Sequence, residues 1–247
     1  MGRWTHLSYE GTRHEPRPAP KGGTDVLNPS LQRQVRASLE SLTSPVRLAV
    51  FTTSEGEPHT CEICDDTRQL VEELAYLSGG KITATTYDLT RDAALARVYG
   101  VDVAPAVVLL GADGKDHGIR FFGIPTGYEF ATLLADIKMI SGGDPGLRAE
   151  TVDTLAAVTT PLHIQVFVTP TCPYCPQAVH LAHRLAFASD HVTASMVDAA
   201  EFPDLADRYD VRAVPLTIVN DVVRVEGDVP EADLVAELRG VPAGLSA

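Results

Sequence analysis

Two Cys-x-x-Cys pairs, Cys61-Glu62-Ile63-Cys64 and Cys172-Pro173-Tyr174-Cys175, use all four cysteines of this 247-residue chain. Each pair is followed by a proline set among small or β-branched residues. Pro105 lies 44 positions beyond Cys61, and Pro215 lies 43 beyond Cys172. The surroundings repeat too. Asp88 and the stretch Tyr99-Gly100-Val101-Asp102-Val103-Ala104-Pro105 correspond to Asp198 and Tyr209-Asp210-Val211-Arg212-Ala213-Val214-Pro215, at an offset of 110. Phe51 corresponds to Phe167 at an offset of 116, so the first copy carries a longer loop, Thr52 to Thr60, ahead of its cysteines. A repeat of this length is too long for a solenoid unit and has the size of a small domain. The chain is therefore expected to contain one fold twice.

The chain divides accordingly. Residues 1–27 are polar, with Pro16, Pro18, Pro20, Gly22 and Gly23, and are expected to form a flexible extension. A first domain is expected over 28–143 and a second over 144–247, with Gly142-Gly143-Asp144-Pro145-Gly146 as the break. In the first, Pro29 and Ser30 open an amphipathic helix with Leu31, Val35, Leu39 and Leu42 on one face. A strand over 46–51, a helix over 61–77, a strand over 81–87 and a helix over 92–98 follow. A hairpin of 106–110 and 118–122 around Asp113-Gly114 and a helix over 128–140 complete the unit. The second copy repeats this order: helix near 147–158, strand 163–168, helix 172–188, strand 192–197, helix 202–208, strands 215–219 and 222–226, and helix 230–239. Such an order gives an α/β fold, a mixed sheet with helices on both faces.

Charge and cysteine usage narrow the function. The net charge of −13 argues against nucleic acid and anionic membranes as partners. No apolar run reaches membrane-spanning length, and the N-terminus lacks the apolar core of a signal peptide, so a cytoplasmic location is expected. In that setting a paired C-x-x-C points to redox or metal chemistry more than to structural disulfides. Two such pairs can form a four-cysteine zinc site. Here each pair sits at the same place in a separate copy, beside its own proline, which favours redox chemistry and no metal.

The apolar strand Ile164–Val168 runs through Thr169-Pro170-Thr171 into Cys172, expected at a helix start. Unpaired amides and the helix dipole there stabilise a thiolate. Pro173 suits the first helical turn, and Cys175, three positions on, is within disulfide reach. Cys172 is thus expected to be the exposed attacking thiolate, forming a mixed disulfide that Cys175 resolves. A cis Val214–Pro215 bond beside the sulfurs would aim the Val214 backbone at an incoming peptide.

These residues resemble a known family. Each half looks like a thioredoxin-fold domain, and Cys-Pro-Tyr-Cys is the glutaredoxin form of the motif. Residues 28–240 are similar to the glutaredoxin-like protein disulfide oxidoreductases of thermophiles. The likeness is carried by Val166-Phe167-Val168-Thr169-Pro170-Thr171-Cys172-Pro173-Tyr174-Cys175-Pro176 and by the run from Gly118 through Arg120, Phe121, Phe122, Gly123, Pro125 and Gly127 to Phe130. The resemblance implies dithiol–disulfide exchange on protein disulfide substrates, with no bound cofactor and with re-reduction by a thioredoxin-reductase-like flavoenzyme. It implies Cys61, Cys64, Cys172 and Cys175 as redox residues. It also implies Pro105 and Pro215, with Ala104 and Val214 before them, as the cis-proline loops that meet substrate. The N-terminal extension, the Thr52–Thr60 loop and Glu62-Ile63 depart from the family pattern.

Other readings apply to single residues. His180 and His183 are expected to be solvated or satisfied helix residues, Glu129 and Glu226 surface charges, and the Phe121-Phe122 pair strand core. His59, two positions before Cys61, can stabilise that thiolate as a cation. Thioredoxins carry a buried acid six positions before the first cysteine. Val166 stands there, so proton transfer to Cys175 needs water or a group not evident in the sequence. Two further functional classes remain: a dedicated electron-transfer module of a peroxide-reducing flavoprotein, and a non-catalytic redox sensor.

Overall fold

A computed structural model describes residues 26–54 and 61–241. The expected N-terminal extension over 1–25, the loop residues 55–60 with His59, and residues 242–247 lie outside the described residues. The first half runs α1 (Pro29–Leu39), β1 (Val46–Thr52), α2 (Cys64–Leu77), β2 (Ile82–Asp88), α3 (Ala93–Val98), β3 (Ala106–Leu110), β4 (Asp116–Phe122) and α4 (Glu129–Gly142). The second repeats that order with α5 (Ala149–Ala156), β5 (Leu162–Val168), α6 (Cys175–Ala188), β6 (Val192–Asp198), α7 (Pro203–Arg208), β7 (Leu216–Val219), β8 (Val223–Glu226) and α8 (Glu231–Leu238).

Local chemistry sets several boundaries. Asn28 caps α1, its side-chain oxygen accepting the N–H groups of Ser30 and Leu31 at 3.0 Å, with Pro29 in the first turn. Helix α4 stops where Gly143 takes a left-handed conformation and its N–H bonds the carbonyl of Met139. Two expected starts are corrected. Helices α2 and α6 begin at Cys64 and Cys175, not at Cys61 and Cys172. The first cysteine of each pair lies in the turn before the helix, as the bond from Cys172 N–H to the Thr169 carbonyl shows. It is therefore Pro176, and not Pro173, that occupies the first turn of α6.

All eight strands form one mixed sheet in the order β2-β1-β3-β4-β6-β5-β7-β8. Each half contributes a contiguous set of four, and they join where β4 runs parallel to β6, Ile119 opposite Ala194 through Phe122 opposite Val197. Gly118 makes the join possible. Its φ is +76°, and a Cβ there would come within 2.5 Å of the Val192 carbonyl. Side chains alternate across the strands. Val107 and Leu109 enter a large core shared with α1, α2, α4, α6 and α8, while Ala106, Val108 and Leu110 enter a smaller one. The smaller core lies under α3 and α7 and holds Phe51, Phe122 and Phe167. The expected α/β architecture, helices on both faces of a mixed sheet, is borne out. Strands β1, β2, β4, β5 and β6 all point the same way, so both cysteine motifs, which follow β1 and β5, emerge at one edge of the sheet. Four strand spacings separate β1 from β5, about 19 Å across the sheet.

Candidate redox site

The second motif is built where β5 ends. Cys172 and Cys175 form a disulfide. Cys175 is fully buried, and Cys172, expected to be exposed, is 7% exposed. The Cys175 N–H, a first-turn amide of α6 without a helical partner, reaches the Cys172 sulfur at 3.2 Å. The anion-stabilising group anticipated at a helix start is thus present, with the sulfur in front of the helix rather than on it. The Val214–Pro215 bond is cis, and the Val214 carbonyl lies 3.8 Å from the Cys172 sulfur. Helix α6 carries no acidic residue in its first turn. The rim is aromatic: Tyr174 is 64% exposed and Tyr128 52%. Gly127 lets the α4 entry pass close by. Its φ is +60°, and a Cβ there would come within 2.3 Å of the Pro170 carbonyl, which the Tyr128 N–H bonds at 3.2 Å.

The first motif has the same plan with different electrostatics. Cys61 and Cys64 form a disulfide, Cys64 buried and Cys61 half-buried. Ala104–Pro105 is cis. Glu62 follows Cys61 directly, and Asp65 and Asp66 lie in the first turn of α2, which begins at Cys64; Arg68 pairs with Asp65 at 3.2 Å.

A buried acid stands on α4. Glu129, expected at the surface, is 2% exposed, and among the described residues neither of its carboxyl oxygens has a hydrogen-bond partner. Burial pushes its pKa up to about 7; the nearby Thr132 hydroxyl works the other way, while the charges of Asp136 and Asp198 add to the rise. It opens the helix whose entry lies against Pro170, two residues from Cys172. A second carboxyl is shifted nearby: burial and then Asp198 push Glu201 up to about 7, against the bond it accepts from the Ile124 N–H. Burial also raises Asp198. Glu226, by contrast, is exposed and pairs with Arg224, as expected. Phe121 and Phe122 are core residues, also as expected.

His180 and His183 are satisfied on one side. Both turn Nδ1 to the fully buried Asp136, at 2.7 and 2.6 Å. Among the described residues no group of three or more His, Cys, Asp or Glu is arranged to hold a metal ion, and no helix is long and apolar enough to cross a membrane.

Comparison with known proteins agrees with this geometry. A family model for the thioredoxin domain matches residues 162–239. "NADH dehydrogenase" of Ferdinandcohnia aciditolerans is 25% identical over 217 residues, covering 88% of this chain and 38% of the relative. The F component of an alkyl hydroperoxide reductase from Staphylococcus epidermidis is 25% identical over 213 residues, 86% of this chain and 38% of that protein. The chain thus spans under two fifths of the length of these curated relatives. Among solved structures, the NTD_N/C domain of alkylhydroperoxide reductase AhpF from Enterococcus faecalis superposes with a TM-score of 0.78 at 28% identity, covering 86% of this chain and 99% of that one. A protein disulfide oxidoreductase from Aeropyrum pernix gives 0.78 at 29% identity, covering 87% and 92%. The expected likeness to tandem thioredoxin-fold oxidoreductases is borne out, and these relatives support a thiol–disulfide oxidoreductase.

Proposed function

We propose that the chain reduces, oxidises or isomerises protein disulfides by exchange at Cys172–Cys175, with Cys61–Cys64 as a second redox pair. The observation that carries this is the placement of the Cys172 sulfur between the Cys175 amide and the carbonyl of cis Val214–Pro215. In the reducing direction the Cys172 thiolate attacks a substrate disulfide, forming a mixed disulfide and expelling one substrate thiolate. Cys175 gives up its proton, attacks the Cys172 sulfur and releases the second substrate thiolate. Two electrons pass to the substrate, and the Cys172–Cys175 disulfide is regenerated. Glu129 serves as the proton acceptor for Cys175 in this reading: its carboxyl is buried, its pKa is pushed up to about 7, and it opens the helix whose entry lies against Pro170, two residues before Cys172. Val214 offers backbone to an extended substrate segment, Tyr174 and Tyr128 apolar surface. Ala104 and Pro105 play the corresponding part at the first pair. Residues 28–143 and 144–247 are the two domains, and a cytoplasmic location fits the chemistry.

A thioredoxin-reductase-like flavoenzyme supplies electrons in this reading. The match over 99% of the AhpF N-terminal structure favours a second one, in which the chain serves a single peroxide-reducing flavoprotein. Insulin reduction with dithiothreitol tests both. A general oxidoreductase precipitates insulin efficiently, and Cys172→Ser abolishes most of the activity. Poor activity that rises only with a flavoprotein reductase supports the dedicated module. Full activity in Cys172→Ser removes the assignment of the second site.

A further inference from the structure

Between α4 and α6 lies a polar cluster that the exchange steps leave unused. Glu129, Thr132 and Asp136 occupy one face of α4 at i, i+3 and i+7, all buried. The two oxygens of Asp136 take two different histidines of α6, His180 Nδ1 at 2.7 Å and His183 Nδ1 at 2.6 Å. His183 is fully enclosed, with Nε2 unpartnered and its ring set edgewise to Phe121 at 4.9 Å between centroids. The side chain of His180 is 34% exposed and is the member of the cluster that reaches solvent. The cluster therefore runs from the buried Glu129 carboxyl, on the helix whose entry lies against Pro170, to the surface at His180 on the helix that Cys175 begins.

The charges facing it are few. Glu129 faces Asp136 on its own helix and Asp198 at the end of β6, and Asp198 in turn faces Glu201. Asp136 faces His180 and His183 from α6. The nearby cation on α6, Arg184, is turned away to the carbonyls of Pro145 and Gly146 and to Glu231. Among the described residues no lysine or arginine side chain bonds Glu129 or Asp136, so the charge of Asp136 is offset only when a histidine is protonated.

We propose that His180, acting through Asp136, is a positioning residue that sets the protonation of Glu129 and thereby the proton traffic of the Cys172–Cys175 pair. This rests on the reading of Glu129 as the proton acceptor. Seven residues of helix separate Asp136 from Glu129, about 10 Å along the axis. Across a protein interior at that distance, one unit charge changes a proton-binding constant about tenfold. With both histidines neutral, Asp136 holds the proton on Glu129. When His180 takes a proton from solvent, that influence is cancelled and Glu129 releases its proton more readily.

The test is a carbon-13 NMR titration of the Glu129 carboxyl in the oxidised full-length chain, assigned with Glu129→Gln. Asp136→Asn is expected to lower the midpoint by about one pH unit, a tenfold weaker proton affinity. His180→Asn, which keeps a side-chain donor for Asp136 but cannot become charged, is expected to raise the midpoint and to remove any inflection shared with the His180 ring signals. An unchanged midpoint in His180→Asn overturns the proposal. His180 is partly exposed and Asn keeps a donor for Asp136, so the test stands even where Asp136→Asn fails to fold. The two readings fail separately. Wild-type insulin reduction by Glu129→Gln would remove the acceptor role with the measured coupling intact, and an unshifted midpoint beside a slow Glu129→Gln removes the role of His180 alone.

Discussion

Replacing Glu129 by Gln should make the protein more stable and less active. The carboxyl is held at about 7 against an ordinary value of 4.5, with burial as the main cause. At 1.36 kcal/mol per unit this is about 3 kcal/mol of folding free energy. The sign follows from the direction. A folded-state value above the unfolded one means that the fold favours the protonated form. The associated stability is present in full below about pH 4.5 and is lost as the pH rises through about 7. Above that the chain holds a buried carboxylate whose burial outweighs the help of the nearby Thr132 hydroxyl. Gln is neutral throughout, so Glu129→Gln should gain about 3 kcal/mol relative to wild type between pH 4 and pH 8.5. Urea unfolding of the disulfide-intact proteins at a series of pH values measures this difference. Glu201, shifted by a similar cause, is present in both proteins and cancels in the comparison. Insulin reduction by the variant should fall by about 100-fold, as expected for loss of a general acid–base group. A stability difference that stays constant with pH to within about 0.5 kcal/mol would refute the reasoning. A buried acid that costs stability is the kind of local conflict that marks a functional position.

Three further outcomes follow from the geometry. In reduced protein labelled with iodoacetamide across pH, Cys61 should react more slowly than Cys172 at neutral pH, because Glu62 adjoins Cys61 and Asp65 and Asp66 occupy the first turn of α2, whereas the first turn of α6 has no acid; equal rates would show that other features of the loop dominate. The Cys61–Cys64 couple should accordingly have the lower reduction potential. Because β4 and β6 pair directly, NMR relaxation should report one rotational correlation time for both halves, and independent tumbling would contradict the continuous sheet.

The fold was largely legible because its signals were local and doubled. Apolar runs such as Val46–Phe51 and Ile164–Val168 have the length of buried strands, and the 110-residue offset doubled each inference. Helix starts were misplaced by three residues because Cys-x-x-Cys resembles a first turn, whereas the turn from Thr169 to Cys172 comes first. Cys172 is more covered than expected because the Val214 carbonyl and its own disulfide partner close over the sulfur. Glu129 was missed because a glutamate in a first helical turn usually points to water. The signal was nonetheless present. Glu129 and Asp136 fall on the stripe that carries Leu133, Ile137 and Ile140, so two acids stand on the buried face of α4. That they meet the histidines of α6, 44 and 47 positions away, depends on how the helices pack across the sheet, which periodicity does not encode.

The most direct measurement of the central claim is disulfide trapping with Cys175→Ser. The reduced variant is mixed with a disulfide-bonded protein and analysed by non-reducing electrophoresis and peptide mass spectrometry. Thiol–disulfide exchange led by Cys172 gives a covalent adduct through Cys172 that dithiothreitol releases and that Cys172→Ser does not form. An adduct through Cys61 alone, or none at all, would contradict it.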